Sequence, residues 1–210
     1  MTLSDANLTK LIEHLRIITV GLTPPMTETI IQEYGKNPYL ILISCLLSLR
    51  ARDVVTIHIC RALFSRIQTP QELCALPLSE LETIIYKSGF YKNKARTLRA
   101  VSTILIERHK SMVPETEEEL LALPGVGQKT TNLVLGLAFD IPAICVDTHV
   151  HKLSNQWGLV NTRTADETEK ALKKVLPAQY WIEWNRLLVM IGQNKKVLIN
   201  RHLINQQSLI

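Results

Sequence analysis

Apolar residues recur along this chain at intervals of three and four, and no convincing alternation of the kind a half-buried strand would show is present. Leu8, Leu11, Ile12, Leu15 and Ile18 mark one face of an N-terminal helix that Thr23-Pro24-Pro25 stops. Asn37 sets a capping side chain before Pro38, a residue suited to a first helical turn, ahead of an apolar run over residues 39–49. Asp53 is placed to cap a helix over residues 54 to about 67. Thr69 with Glu72, Ser79 with Glu82, Thr116 with Glu119 and Thr164 with Glu167 have the spacing of a reciprocal capping box. Gly35 and Gly89 fall where helix C-terminal glycines fall. The pattern predicts an all-α fold with short connections. No glycine- or serine-rich linker separates two domains.

Composition narrows the class. A chain of 210 residues, 46% hydrophobic, can bury a core without disulfides or metals. The apolar run is broken by Ser44 and Ser48 and ends at Arg50, well short of the roughly 20 residues a bilayer span needs. Asp5 and Glu13 interrupt the N-terminal pattern and no small-residue cleavage signature follows, so no secretion signal is expected. Cys45, Cys60, Cys74 and Cys145 lie far apart with no C-x-x-C pair. They read as reduced core thiols of a cytosolic protein, with a scattered disulfide framework as the alternative.

Net charge is only +5, but it is unevenly spread. Lys87, Lys92, Lys94, Arg96, Arg99, Arg108 and Lys110 face a single acid, Glu107, in one stretch. Beyond Glu183, Arg186, Lys195, Lys196 and Arg201 follow with no acid at all. Two basic patches suggest a polyanionic partner. Lys92, Arg96 and Arg99 share one helical face, and Leu98, Val101, Ile104 and Leu105 supply the apolar one. A solvated face and a phosphate-contacting face both fit that stripe. Trp181 and Trp184 read as core residues of an apolar helix over residues 178–191.

Two segments echo each other. Thr69-Pro-Gln-Glu-Leu-Cys-Ala-Leu-Pro77 and Thr116-Glu-Glu-Glu-Leu-Leu-Ala-Leu-Pro124 share their helix grammar, but only the second continues into Gly125-Val126-Gly127. That turn precedes an apolar helix over residues 130–139. Its bare amides, with those of the helix N-terminus, form an anion site suited to phosphate. A ligand-free αα-turn answers to the same pattern. Lys129 lies in the first helical turn, where the macrodipole disfavours a cation and favours the neutral, nucleophilic amine. A solvated lysine touching a phosphate is the plainer reading. Downstream, Asp147 follows an apolar stretch and opens a helix-like pattern, which makes it an N-cap or a carboxylate projected toward chemistry. His149 and His151 diverge on a helix, and Asp147 with His151 does not close a metal site, so no metal is expected here.

The segment Leu123-Pro-Gly-Val-Gly-Gln-Lys-Thr-Thr-Asn132, followed by Val146-Asp147-Thr148-His149, resembles the endonuclease III family of helix-hairpin-helix DNA glycosylases. The likeness extends through residues 37–53, 88–95 and 149–158 and covers roughly residues 30 to 193. It implies two helical lobes flanking a DNA-binding cleft: a six-helix domain over residues 31–141, and a second lobe from residues 1–30 and 142–210. It also implies a flipped nucleotide, with Lys129 as catalytic nucleophile and Asp147 as the catalytic aspartate that assists proton transfers and stabilises positive charge on the sugar. Leu123, Gly125, Val126, Gly127, Gln128 and Thr130 would contact DNA in the hairpin. Monofunctional relatives have other residues at the position of Lys129, so the resemblance implies a bifunctional glycosylase and abasic-site lyase. The expected partner is double-stranded DNA with damaged bases or abasic sites, bound by a monomer. No membrane partner is expected, and the location is cytoplasmic, nucleoid-associated in a prokaryote. Oxidised pyrimidines are the expected lesion. The alternatives are a mismatched or oxidised purine base, or a non-catalytic helix-hairpin-helix DNA-binding protein.

Two departures from the family stand out. Many members end with four cysteines that hold a [4Fe-4S] cluster, whereas Gly192 to Ile210 contains none, so no cofactor is expected. Lys195, Lys196, Arg201 and His202, interleaved with Val197, Leu198, Ile199, Leu203 and Ile204, stand there instead. Apolar packing with retained phosphate contact and a frayed basic tail are both open for that segment. Arg50 replaces a glutamine of well-studied members, and Phe90 an apolar wedge that is often leucine. Arg50 would donate to an orphaned base and Phe90 would stack in the gap, or they are a surface arginine and a core phenylalanine.

Overall fold

The computed structural model describes residues 5–200, with side chains described over 7–198. Helices run in the order α1 (Asp5–Thr19), α2 (Met26–Tyr34), α3 (Pro38–Ser48), α4 (Asp53–Phe64), α5 (Pro70–Ala75), α6 (Leu78–Ile85) and α7 (Tyr91–Arg108). They continue as α8 (Glu117–Leu121), α9 (Gln128–Phe139), α10 (Thr148–Gln156), α11 (Ala165–Val175), α12 (Trp181–Gln193) and α13 (Lys195–Asn200). Short 3₁₀ turns precede α7 and α12, and the described residues contain no strand. The fold is all-α. No described helix is long and apolar enough to cross a membrane.

The chain divides into two compact units, one over Met26–Ile141 and one joining the described residues up to Pro25 with those from Pro142 onward. The division falls at Pro25/Met26, not at residue 31, because α2 packs against α3 and α4. The central unit holds eight described α-helices where six were expected, since the short α5 and α8 form around their own threonine caps.

In the central unit α3 is buried on every side from Tyr39 to Leu47, as an all-round apolar helix must be. Asn37 caps it by accepting from the amides of Tyr39 and Leu40, and α2, α4, α7 and α9 pack around it. Its two inward polar groups are satisfied: the Tyr39 hydroxyl pairs with Ser102 Oγ at 2.7 Å, and Ser44 Oγ donates to the Ile41 carbonyl. Thr69 and Glu72 form the full capping box, and Thr116 and Thr164 cap α8 and α11. Ser79 does not cap, because Pro77 takes the N-cap position of α6 two residues earlier. Asp53 is likewise inside α4, behind Arg52 at the N-cap position.

The other unit packs α1 and α10 on α12, and α11 on α10. Leu8, Ile12, Leu15, Ile18, Trp184 and Leu188 are among its buried core. Trp184 is buried edge-on to Trp157, while Trp181 is only half-buried and donates to the Leu176 carbonyl. Leu198 of α13 is fully buried in this core and Lys196 is exposed. Arg201, His202, Leu203 and Ile204, with the side chain of Ile199, lie outside the described residues.

Candidate active site

The turn between α8 and α9 is built from its buried residues outward. Leu123 and Val126 are buried, and the Val126 amide closes a tight turn on the Leu123 carbonyl. Gly125 has φ of 75°, and a Cβ there would stand 2.8 Å from Thr97 Cγ2, so both conformation and space require glycine. Gly127 takes the N-cap position of α9 and offers no side-chain cap, leaving the helix's first amides for a ligand. Gln128 Nε2 donates to Glu117 Oε1 at 2.8 Å and to Asn132 Oδ1 at 3.1 Å, tying α8 to α9. Its side chain is therefore engaged within the protein. The Thr130 and Leu123 side chains are buried. The side chains of these three residues are thus engaged within the protein, and their main chain is what the turn presents.

Lys129 is exposed in the first turn of α9 and has no hydrogen-bond or ion-pair partner among the described residues. Its charge is felt by Cys45 of α3. Burial pushes that thiol up to about 12, and the nearby ammonium pulls against the rise.

Asp147 is the N-cap of α10. Its Oδ1 accepts from the amides of His149 and Val150, both at 2.9 Å, which leaves Oδ2 without a protein partner among the described residues. The segment before it is buried through Ala143, Ile144, Cys145 and Val146, and Asn185 Nδ2 of α12 donates to the Cys145 carbonyl at 2.9 Å. The carboxylate is half-buried and held in place from both sides. His149 lies against Gly192 of α12, where an added Cβ would fall 2.1 Å from Nδ1. His151 Nδ1 pairs with Thr168 Oγ1 at 2.7 Å. Thr168 Oγ1 also reaches the Thr164 carbonyl and Thr162 Oγ1, so His151 is tied into a hydroxyl network on α11. His149 was legible only as a residue unfit for zinc, and its pairing with a glycine forty-three positions away has no local signature.

Arg50 and Phe90 meet in the central unit. Both are exposed, both have left-handed backbones, with φ of 54° and 49°, and the Arg50 guanidinium stands 5.9 Å from the centre of the Phe90 ring. Phe90 is 66% exposed, which rules out a core role. Both line a cavity of about 340 Å³ together with Leu46, Leu49, Asn93, Lys94, Thr97, Leu98 and Gly125. Along α7, Lys92 and Arg96 are exposed, but Arg99 is not part of an outward stripe, because its guanidinium donates to the Leu76 carbonyl. Lys94 is half-buried and bonded inward.

The described residues contain no group of three or more histidines, cysteines and acids placed to hold a metal. Cys45, Cys60 and Cys145 are separately buried and Cys74 half-buried, so these thiols do not fit a four-thiolate cluster.

Residues 43–178 match the model of the HhH-GPD superfamily of base excision DNA repair proteins. The chain is 43% identical over 173 residues to endonuclease III of Thermotoga maritima, covering 80% of this chain and 81% of that one. It is 35% identical over 158 residues to endonuclease III of Bacillus subtilis, covering 75% and 72%. A solved structure titled as a non-covalent endonuclease III–DNA complex superimposes with a TM-score of 0.79 at 31% identity, covering 91% of this chain and 86% of that one. The chain belongs to the endonuclease III family of DNA glycosylases with abasic-site lyase activity.

Proposed function

We propose that this protein binds double-stranded DNA as a monomer, excises oxidised pyrimidines and cleaves 3′ to the abasic site, with Lys129 as nucleophile and Asp147 as its electrostatic and proton-transfer partner. The observation that carries the reading is Lys129 itself. A cation at a helix N-terminus opposes the macrodipole by a few tenths to about 1 kcal/mol, and no acid among the described residues compensates it. The nucleophile of the proposed reaction is the Nζ lone pair of the amine.

The neutral amine attacks C1′ while the glycosidic bond breaks, and the base departs with that electron pair and takes up a proton. Ring opening gives an iminium between Nζ and C1′. Loss of a C2′ proton then expels the 3′ phosphate by β-elimination, and water releases the lysine. Oδ2 of Asp147, not spent on the cap, stabilises positive charge on the sugar and shuttles protons. The amides around Gly125 and Gly127 bind backbone phosphate, with Leu123 and Val126 shaping the turn and Gln128 and Thr130 contributing main chain. Arg50 and Phe90 probe the duplex, and their departures from the family's glutamine and leucine bear on lesion and opposite-base choice. Such an enzyme would act in the cytoplasm, at the nucleoid. In this reading it works without an iron–sulfur cluster, and the buried Leu198 of α13 supplies apolar packing in its unit.

Borohydride trapping on abasic-site DNA is the test. The natural chain forms a covalent adduct that Lys129→Ala does not; a folded, DNA-binding natural chain that gives no adduct overturns the lyase mechanism.

A further inference from the structure

Arg50 and Phe90 are in a backbone region that side chains other than glycine disfavour, and such conformations persist only where the surroundings hold them. Both line a cavity, so packed side chains do not fill the space beside them. A polar clasp is present instead. The ammonium of Lys94, on the first turns of α7, donates to the Leu47 carbonyl at 2.7 Å and to the Ser88 carbonyl at 2.8 Å. The first carbonyl is three residues before Arg50, at the C-terminus of α3 where orphaned carbonyls attract a cation. The second is two residues before Phe90. The Lys94 main chain adds a further tie, its amide donating to the Phe90 carbonyl at 3.0 Å. Burial pushes the Lys94 pKa down, as expected for an amine withdrawn from water.

We propose that Lys94 is a positioning residue that sets the spacing of Arg50 and Phe90, so that the two enter the duplex as one unit. The proposal rests on the reading of Arg50 and Phe90 as duplex probes. Lys94 contributes nothing to the chemistry at Lys129. It acts where a partner strand must be displaced and its base inspected, so its loss falls on duplex substrates and spares the lyase step on single strands.

The experiment compares single-turnover rates on duplex DNA carrying an oxidised pyrimidine with borohydride trapping on a single-stranded abasic oligonucleotide, for the full chain and its variants. Lys94→Met keeps the length of the side chain and removes its donors. Its duplex-to-single-strand ratio should fall about tenfold, the effect of losing hydrogen bonds from a charged group, and its discrimination between adenine and guanine opposite the lesion should flatten. Lys94→Arg, which retains donors and charge, should recover most of the ratio. Arg50→Ala and Phe90→Ala, measured alongside, should each lower the ratio. If those two leave it unchanged, the probe reading fails and the clasp with it. If they lower it while Lys94→Met does not, the clasp alone is overturned. Equal losses of Lys94→Met on both substrates would show a general structural role and also overturn the proposal.

Discussion

Asp147 caps α10, and a pair of substitutions can separate that task from the chemistry proposed for it. Oδ1 accepts two amide hydrogens at the start of α10, both at 2.9 Å, and Oδ2 is left for chemistry. Asp147→Ala removes both oxygens. Loss of such a cap costs about 1 kcal/mol, within a range of roughly 0.5–2, which in a chain of this size lowers Tm by roughly 2–4 °C. Asp147→Asn keeps an oxygen in the capping position, and asparagine caps as well as aspartate, so its Tm should match that of the natural protein. It loses the negative charge. If the carboxylate stabilises charge developing on the sugar, base release should slow by about 10²–10³, the scale of removing one preorganised electrostatic contact. Thermal melts measure the first effect. Single-turnover base release, with alkali cleaving every abasic site formed, measures the second independently of lyase activity. Asparagine should be stable, bind DNA and react slowly, whereas alanine should be both less stable and slow. Turnover of Asp147→Asn at the natural rate would reduce Asp147 to a helix cap, and an alanine variant with unchanged Tm would refute the capping argument.

Gly125→Ala places a methyl group 2.8 Å from Thr97 Cγ2 in a left-handed conformation that costs about 1–2 kcal/mol by itself; the hairpin should shift and affinity for abasic duplex should fall, read by fluorescence anisotropy. Alkaline stability should decline early. Burial raises the native pKa of Cys45 to about 12 from 9.0 and raises those of Cys60 and Tyr39 as well, so the unfolded chain ionises first. The stability these groups lend is present below pH 9 and is lost as pH rises through the native Cys45 value near 12, by up to about 1.4 kcal/mol per pH unit for each group. Denaturant melts across that window should show the decline, and a flat profile would contradict it. Protein purified without chelators should contain substoichiometric iron by elemental analysis and no iron–sulfur absorption; a cluster with full occupancy would overturn the cluster-free reading.

Helix grammar was legible where one local group decides the outcome. The Thr69–Glu72 box and the Asn37 cap are present as spacing predicts, because each needs only residues within one turn. Ser79 shows the limit: a proline two residues earlier takes over the helix start. Lys129 and Asp147 stood out from motif chemistry as the residues proposed for the reaction, while the split between the two oxygens of Asp147 appears only once hydrogen bonds are assigned to each. Lys94 and Arg99 were counted into a basic patch, yet both ammonium and guanidinium turn inward to main-chain carbonyls that other segments bring near them. Charge in a sequence does not say whether it faces water. The left-handed Phe90 was also hidden, since the usual marks of that conformation are glycine and asparagine.

Oxidised bases arise when cells are under oxidant attack, the same conditions that inactivate enzymes through exposed thiolates. Here Cys45 and Cys60 are sealed in the core, held as thiols by burial, and Cys145 is 2% exposed. A protonated, inaccessible sulfur is a poor target for peroxide. With the lesion proposed above, an arrangement of this kind would keep the protein serviceable through the insult whose products it removes.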